Sequence, residues 1–142
     1  MAGRPLVVLD SNVLEAAMRS RRGASFAVLS AVGTGRFDVA VSVPVVLEYE
    51  EVLKRPGMLP HLTPEEIDVF LDYFLSRCVE QKVFFHWRPL IPDADDDMLV
   101  ELAVAAGASY IISSNVGDLK PAVTLGLQVV TPRDFLHSRS QP

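Results

Sequence analysis

The chain has 142 residues, 49% of them hydrophobic, and a formal net charge of −5. That length suits one domain with a sizeable core, and a mean hydropathy of +0.26 excludes a disordered chain. A pI near 5.1 argues against a protein that coats nucleic acid through bulk positive charge, although bound cations can still offset a local acidic cluster.

The first element is Leu6 to Leu9, four apolar residues without alternation, which read as a strand buried on both faces at the centre of a parallel sheet. Asp10 stands at its carboxyl end, where ligands bind in open α/β sheets. Ser11 and Asn12 follow as N-cap residues, and Val13 to Met18 start a helix. At this point two readings of Asp10 stay open, a helix cap and a chemical group. The loop Arg19-Ser20-Arg21-Arg22-Gly23 is the densest basic patch, and short charge runs of this kind usually line a solvated face. Ala24 to Val32 reads as a helix with Phe26, Ala27 and Leu29 towards the core, ended by Gly33 and Gly35.

Phe37 to Ser42 is a second strand, and Val43-Pro44 opens the next helix. Val45, Val46, Tyr49, Val52 and Leu53 form its apolar face. Glu50–Lys54 and Glu51–Arg55 have the i,i+4 spacing of ordinary exposed pairs. Glu48 is not explained by that spacing, because position 52 is valine, so it is either stabilised by the helix dipole or functional. After a break at Pro56 to Pro60, Thr63-Pro64-Glu65-Glu66 has the form of a capping box. The helix it starts runs to about Cys78, with Ile67, Phe70, Leu71, Phe74 and Leu75 as a wide face for core packing or a dimer surface. Val83 to His86 is expected to be a third strand. His86 has no second histidine or cysteine spaced to join it in a metal site.

In Ile91-Pro92-Asp93-Ala94-Asp95-Asp96-Asp97-Met98, four aspartates fall within five positions, just before an expected helix from Met98 to Ala106. Capping needs one acid and the helix dipole favours one or two more, so four point to a cation. Gly107 stops that helix, and Ser109 to Ser113 is a buried strand. Its exit, Ser114 to Leu119, brings Asn115 and Asp118 to another strand end. Gln128 to Val130 is a last strand before a helix from Thr131-Pro132. Residues 1–136 are read as one domain and 137–142 as a tail. No apolar run approaches the ~20 residues that span a bilayer, and no signal-peptide pattern opens the chain, which points to the cytoplasm. The single cysteine, Cys78, agrees with a reducing compartment and reads as a small core residue.

This alternation implies a three-layer α/β/α sandwich around a mostly parallel sheet of about five strands. Parallel strands would gather Asp10, Glu48, Asp96 or its neighbours, and Asp118 at one edge, with Ser11, Asn12 and Asn115 beside them. Carboxylates converging without histidine or thiol select hard cations such as Mg²⁺ or Mn²⁺. With a phosphodiester substrate such ions serve hydrolysis.

The VVLDSNVL opening, Ser42-Val43-Pro44 with Leu47-Glu48-Tyr49, DADDDMLVELAVAAGASYIIS, and SNVGDLKPAVTLGLQVVTPRDFL together resemble a PIN domain. The likeness spans nearly the whole chain and is nearest to toxin components of toxin–antitoxin modules, the VapC-type ribonucleases. It implies a metal-dependent endoribonuclease acting on single-stranded RNA, with Mg²⁺ or Mn²⁺ as cofactor, a possible antitoxin protein as partner, and a homodimer for which the Ile67–Phe74 face is a plausible surface. Carried onto this chain, it makes Asp10, Glu48 and Asp96 metal-binding acids, with Asp97 and Asp93 as near alternatives to Asp96. At the fourth corner Asn115 stands where many members carry aspartate, with Asp118 three residues on. Ser11 and Asn12 match the family's polar pair beside the first acid, and Arg19, Arg21 and Arg22 are candidates to hold substrate phosphates. The rival reading is a catalytically degraded PIN-fold binding module, favoured by Asn115 and opposed by Asp10, Glu48 and Asp96. A haloacid-dehalogenase-type phosphatase would need D-x-D, and here Asn12 takes the second place. A dinucleotide-binding domain would need a G-x-G-x-x-G turn, which is absent.

Overall fold

A computed structural model describes residues 4–83 and 94–139 of the chain. Among them five strands pair in a single parallel sheet in the order β3-β2-β1-β4-β5. These are β1 (Leu6–Leu9), β2 (Asp38–Val41), β3 (Val79–Glu80), β4 (Tyr110–Ile112) and β5 (Gln128–Val130). The helices are α1 (Ser11–Arg19), α2 (Ala24–Ala31), α3 (Val43–Leu53), α4 (Pro64–Ser76), α5 (Ala94–Ala106) and α6 (Pro132–Arg139). They flank the sheet in the three-layer arrangement expected from the sequence. None of the helices described is long and apolar enough to cross a membrane.

The unbroken apolar run of β1 does what its composition predicts. Val7, Val8 and Leu9 are fully buried, and β1 is the middle strand of the five. Because every pairing is parallel, all strands release the chain at the same sheet edge. The ladders continue one residue past β1 and β4: the Asp10 N–H donates to Ile112 O (2.9 Å) and the Ser113 N–H to Val130 O (2.9 Å). With Leu9 opposite Ile112, Asp10 therefore stands opposite Ser113.

Local signals explain the helix starts. Ser42 Oγ accepts from the Val45 N–H (3.4 Å) with Pro44 in the first turn of α3. At α4 the capping box is complete, with Glu66 N–H on Thr63 Oγ1 (3.1 Å) and Thr63 N–H on Glu66 Oε1 (2.9 Å). The core closes over these elements. Phe135 of α6 meets Phe37 and Tyr110 edge-on, with ring centroids 5.1 and 5.4 Å apart, and Tyr49 meets Phe74 at 6.1 Å.

Several expectations are corrected. The third strand is Val79–Glu80, paired to Ala40–Val41, and not Val83 to His86. The chain leaves α4 at Ser76 and turns at once onto the sheet edge. Val83 is not a strand residue, and His86 lies outside the described residues. Helix α5 begins at Ala94, four residues before the expected Met98, so Asp95, Asp96 and Asp97 lie inside its opening turns. Early helical positions are where the dipole favours acids. The stretch after Asn115 is a 3₁₀ helix, Val116–Leu125, which buries Leu119 and Ala122 and ends at Gly126 with φ of +83°.

In α2 the buried residues are Val28 and Ala31, while Ala27 is exposed, because α2 packs sideways on α1 and α6. The Ile67–Phe74 face is not a free dimer surface, since Ile67, Leu71 and Phe74 are all spent in the core. Cys78 is half-buried just beyond α4, and its Sγ lies 3.3 Å from Phe74 O; burial pushes its thiol up to about 12. Helix α6 continues through Arg139, into the stretch read as a tail.

Candidate active site

A cleft of about 250 Å³ opens at the sheet edge where the strands end. Its walls bring together Asp10, Ser11 and Asn12 from the end of β1 and the start of α1, Glu48 and Tyr49 from α3, and Met98 and Leu99 from α5. Two of the predicted acids, Asp10 and Glu48, thus face one space although 38 positions separate them in the sequence.

Asp10 occupies the N-cap position of α1, yet its side chain makes no capping hydrogen bond. Its carboxylate is instead held by other side chains. Ser113 Oγ donates to Asp10 Oδ2 at 2.8 Å, Asn12 Nδ2 donates to the same oxygen at 3.3 Å, and Ser11 Oγ reaches Oδ1 at 3.4 Å. The residue is only 8% exposed. Burial raises its carboxyl above the ordinary 3.8, opposed by the Ser113 hydroxyl, the N–H groups of Ser11 and Asn12, and the Ser11 hydroxyl. Such a group holds its negative charge at a cost that a cation would relieve.

Ser113 is fully buried and joins three corners of the site. Besides donating to Asp10, it accepts from Asn12 Nδ2 (3.3 Å) and from the Asn115 N–H (2.9 Å). Asn12 in turn accepts from the Ser114 N–H at 3.2 Å, which fastens the start of α1 to the exit of β4. Asn115 and Asp118 are exposed, and the Asn115 amide donates to Asp118 Oδ2 at 2.6 Å. They connect to Asp10 through Ser113 and do not line the cleft themselves.

Helix α3 is positioned by Tyr49. Its hydroxyl donates to Leu9 O at 2.6 Å, one residue before Asp10, and the ring is wholly buried. Glu48 is half-buried beside it. Helix α5 reaches the cleft with Met98 and Leu99. Asp96 belongs to the first turn of the same helix, and its side chain lies outside the described residues. Asp97 and Glu101, one turn apart on α5, are both buried, at 9% and 6% exposure. Asp93 lies outside the described residues. Among the described residues, no three histidine, cysteine, aspartate or glutamate side chains form a ready metal cluster.

The basic loop does not reach this cleft. Arg19 is committed to Glu15 (3.0 Å) and to Met58 O (3.3 Å), while Arg21 and Arg22 are exposed beyond it. Glu15 and Arg55 do line the cleft, and neither stood out in the sequence. Arg55 looked like an ordinary exposed partner of Glu51, which it meets at 3.8 Å. Ser113 was missed as well. Its only signal was a polar residue closing an apolar strand, and its meaning depends on the register with Asp10.

The family model for the PIN domain matches residues 6–117, more than half of the chain. The chain belongs to the PIN-domain family. Solved structures agree on the fold. A chain of VapBC2 from Rickettsia felis, bound to a DNA fragment from their promoter, superposes with a TM-score of 0.63 at 20% identity, covering 87% of this chain and 96% of that one. FitAB bound to an IR36 DNA fragment gives 0.58 at 17% identity, covering 89% and 94%. FitAcB from Neisseria gonorrhoeae gives 0.57 at 17%, covering 89% and 98%. No protein of curated function matches the sequence. As a PIN domain the chain has a nuclease-type fold, and its strand-end cleft lies at the crevice where such sheets bind ligands.

Proposed function

We propose that this PIN domain is an endoribonuclease that hydrolyses RNA phosphodiester bonds with a divalent cation, Mg²⁺ or Mn²⁺. The observation that carries this reading is the Asp10 carboxylate, buried at a strand end, gripped by Ser113, Asn12 and Ser11, and sharing its cleft with Glu48. The donors there fit a hard cation: carboxylate, hydroxyl and amide oxygens, with no histidine or cysteine among the lining residues. Asp10 and Glu48 would hold the ion, with Asp96 as the third acid and Asp97 or Asp93 as its alternatives. Bound there, the ion supplies Lewis acidity for water activation and for the charge that develops on the phosphate.

The remaining roles belong to the chain itself. Ser113, Ser11 and Asn12 fix the rotamer of Asp10 so that it meets its ligand without reorganising. Asn115 and Asp118 form a neutral–acidic pair at the rim, where Asp118 is the candidate for steering water or a second ion. The fold likeness to VapBC2 and FitAB favours a toxin role with an antitoxin protein as partner, acting in the cytoplasm as a homodimer.

The test is cleavage of single-stranded RNA by the purified protein in Mn²⁺, with Asp10→Asn expected to abolish it while circular dichroism stays native. Undiminished cleavage by that variant would sink the proposal. A second reading, a binding module with a degraded site, is favoured by Asn115, whose amide is turned onto Asp118. Titration calorimetry separates the two, since a degraded site takes up no Mn²⁺ that Asp10→Asn removes.

A further inference from the structure

A second cavity, of about 350 Å³, lies beside the cleft between α1, the α1–α2 loop and the start of α6. The two share a wall, because Glu15 lines both. They are also joined behind that wall. Ser114 lines the second cavity and donates its N–H to Asn12, which donates to Asp10. Arg19 lines the second cavity and holds the carbonyl of Met58, a residue of the cleft. The cavity therefore adjoins the cleft at Glu15.

Its chemistry suits a nucleotide. The floor is small and largely apolar, with Ala16, Gly23 and Pro132, which leaves room for a flat base. Ser114 and Thr131 are among its lining residues, and their hydroxyls suit a base edge or a ribose 2′-hydroxyl, Thr131 as donor while its oxygen accepts from the Asp134 N–H at 3.1 Å. Among the lining residues the charge of Glu15 is met by Arg19 at 3.0 Å, which leaves the exposed Arg133 as a cation for phosphate. The starts of α2 and α6 lie here too; α2 adds the positive end of its dipole beside Arg133, while Asp134 in the first turn of α6 offsets that of α6.

We infer that this cavity is a nucleotide subsite, which holds the residue of single-stranded RNA next to the scissile bond and sets affinity for longer substrates. The inference rests on the endoribonuclease reading above. It also moves the phosphate contact away from Arg21 and Arg22, which do not line the cavity, onto Arg133.

The experiment measures initial rates in Mn²⁺ on a short random-sequence RNA oligomer, and anisotropy of the same fluorescein-labelled oligomer in the Asp10→Asn background. Arg133→Glu reverses the charge. Gly23→Leu adds bulk at the cavity wall, where an added Cβ meets nothing within 4 Å at an ordinary φ of −84°. Arg36→Glu, ahead of β2 at the opposite sheet edge, is the charge-matched control. Arg133→Glu and Gly23→Leu are each expected to raise KM about fivefold or more. Arg133→Glu is also expected to lower the slope of log affinity against log salt by about 0.7, one single-strand phosphate. Arg36→Glu should follow the wild type. If both cavity variants match Arg36→Glu while the wild type cleaves RNA, the subsite is wrong and the endoribonuclease reading stands. If the wild type neither cleaves nor binds RNA, that reading fails and takes the subsite with it.

Discussion

Ser113 donates a 2.8 Å hydrogen bond to Asp10 across 103 sequence positions, from one residue past β4 to one residue past β1. The parallel register places them side by side, so the sheet itself presents a hydroxyl to its own strand-end acid. Ser113→Ala removes that donor and leaves the Asp10 carboxylate, 8% exposed, with the weaker contacts of Asn12 and Ser11. A stability loss of about 1–2 kcal/mol is expected. Because the Ser113 hydroxyl lowers the Asp10 pKa, its loss moves the acid limb of the pH–rate profile to higher pH. Ser113→Thr keeps the hydroxyl and should restore the profile. An unmoved acid limb in Ser113→Ala would show that Asp10 is not the group whose ionisation limits the rate.

The opposite sign appears when Asp10 itself is replaced. Its folded pKa is raised, so the native state binds more protons than the unfolded one, and stability falls as pH rises from about 3.8 through the folded value. Asp10→Asn lacks that fall. Its amide oxygen can keep the Ser113 bond, and its NH₂ can face the Ser11 hydroxyl. Thermal melts are expected to show the variant gaining on the wild type as pH rises from about 3.8 through the folded pKa, above which the gap is constant. Mn²⁺ then reverses the order: at one hundred times its Kd it adds about 2.7 kcal/mol to the wild type and little to Asp10→Asn. A variant less stable than the wild type at neutral pH without metal would contradict the buried-charge account.

What was legible in the sequence follows from how local each signal is. The continuous run Leu6–Leu9 and the capping box at Thr63 depend on neighbours in the chain, and both stand as read. Glu48 stood out because Val52 denied it an i+4 partner, and it lies in the cleft. The two-residue β3 was not legible, since a strand that short has no periodicity and forms because β2 offers it an edge. The start of α5 was misread because a run of aspartates resembles a loop, whereas the first helical turn is where acids are welcome. Ser113 and the neighbouring cavity depend on strand register and on the approach of α6, which local sequence does not encode.

Tyr49 ties α3 to β1 through its hydroxyl, 2.6 Å from Leu9 O, in a fully buried position. Burial raises its pKa well above 10, so the hydroxyl stays protonated and donates across the working pH range. Tyr49→Phe keeps the ring against Phe74 and deletes only the bond. Urea unfolding is expected to show a loss of about 1–3 kcal/mol with the m-value unchanged. Cleavage should fall with it even at low urea, because α3, which carries Glu48 one residue before Tyr49, is then held less firmly to β1. A stability loss with full activity would mean that Glu48 is held in place by other contacts.

The fourth corner gives the last prediction. Asn115 donates to Asp118 at 2.6 Å, a contact that an aspartate at 115 turns into two facing carboxylates. Both residues are exposed, so water screens much of the repulsion, and Asn115→Asp is expected to cost the metal-free protein only about 1 kcal/mol or less. In Mn²⁺ the balance changes, since a cation between two carboxylates removes their conflict. Titration calorimetry should then show uptake of a second Mn²⁺ by Asn115→Asp, and RNA cleavage should rise at limiting metal. If the stoichiometry stays at the wild-type value, Asn115 and Asp118 do not form a metal corner.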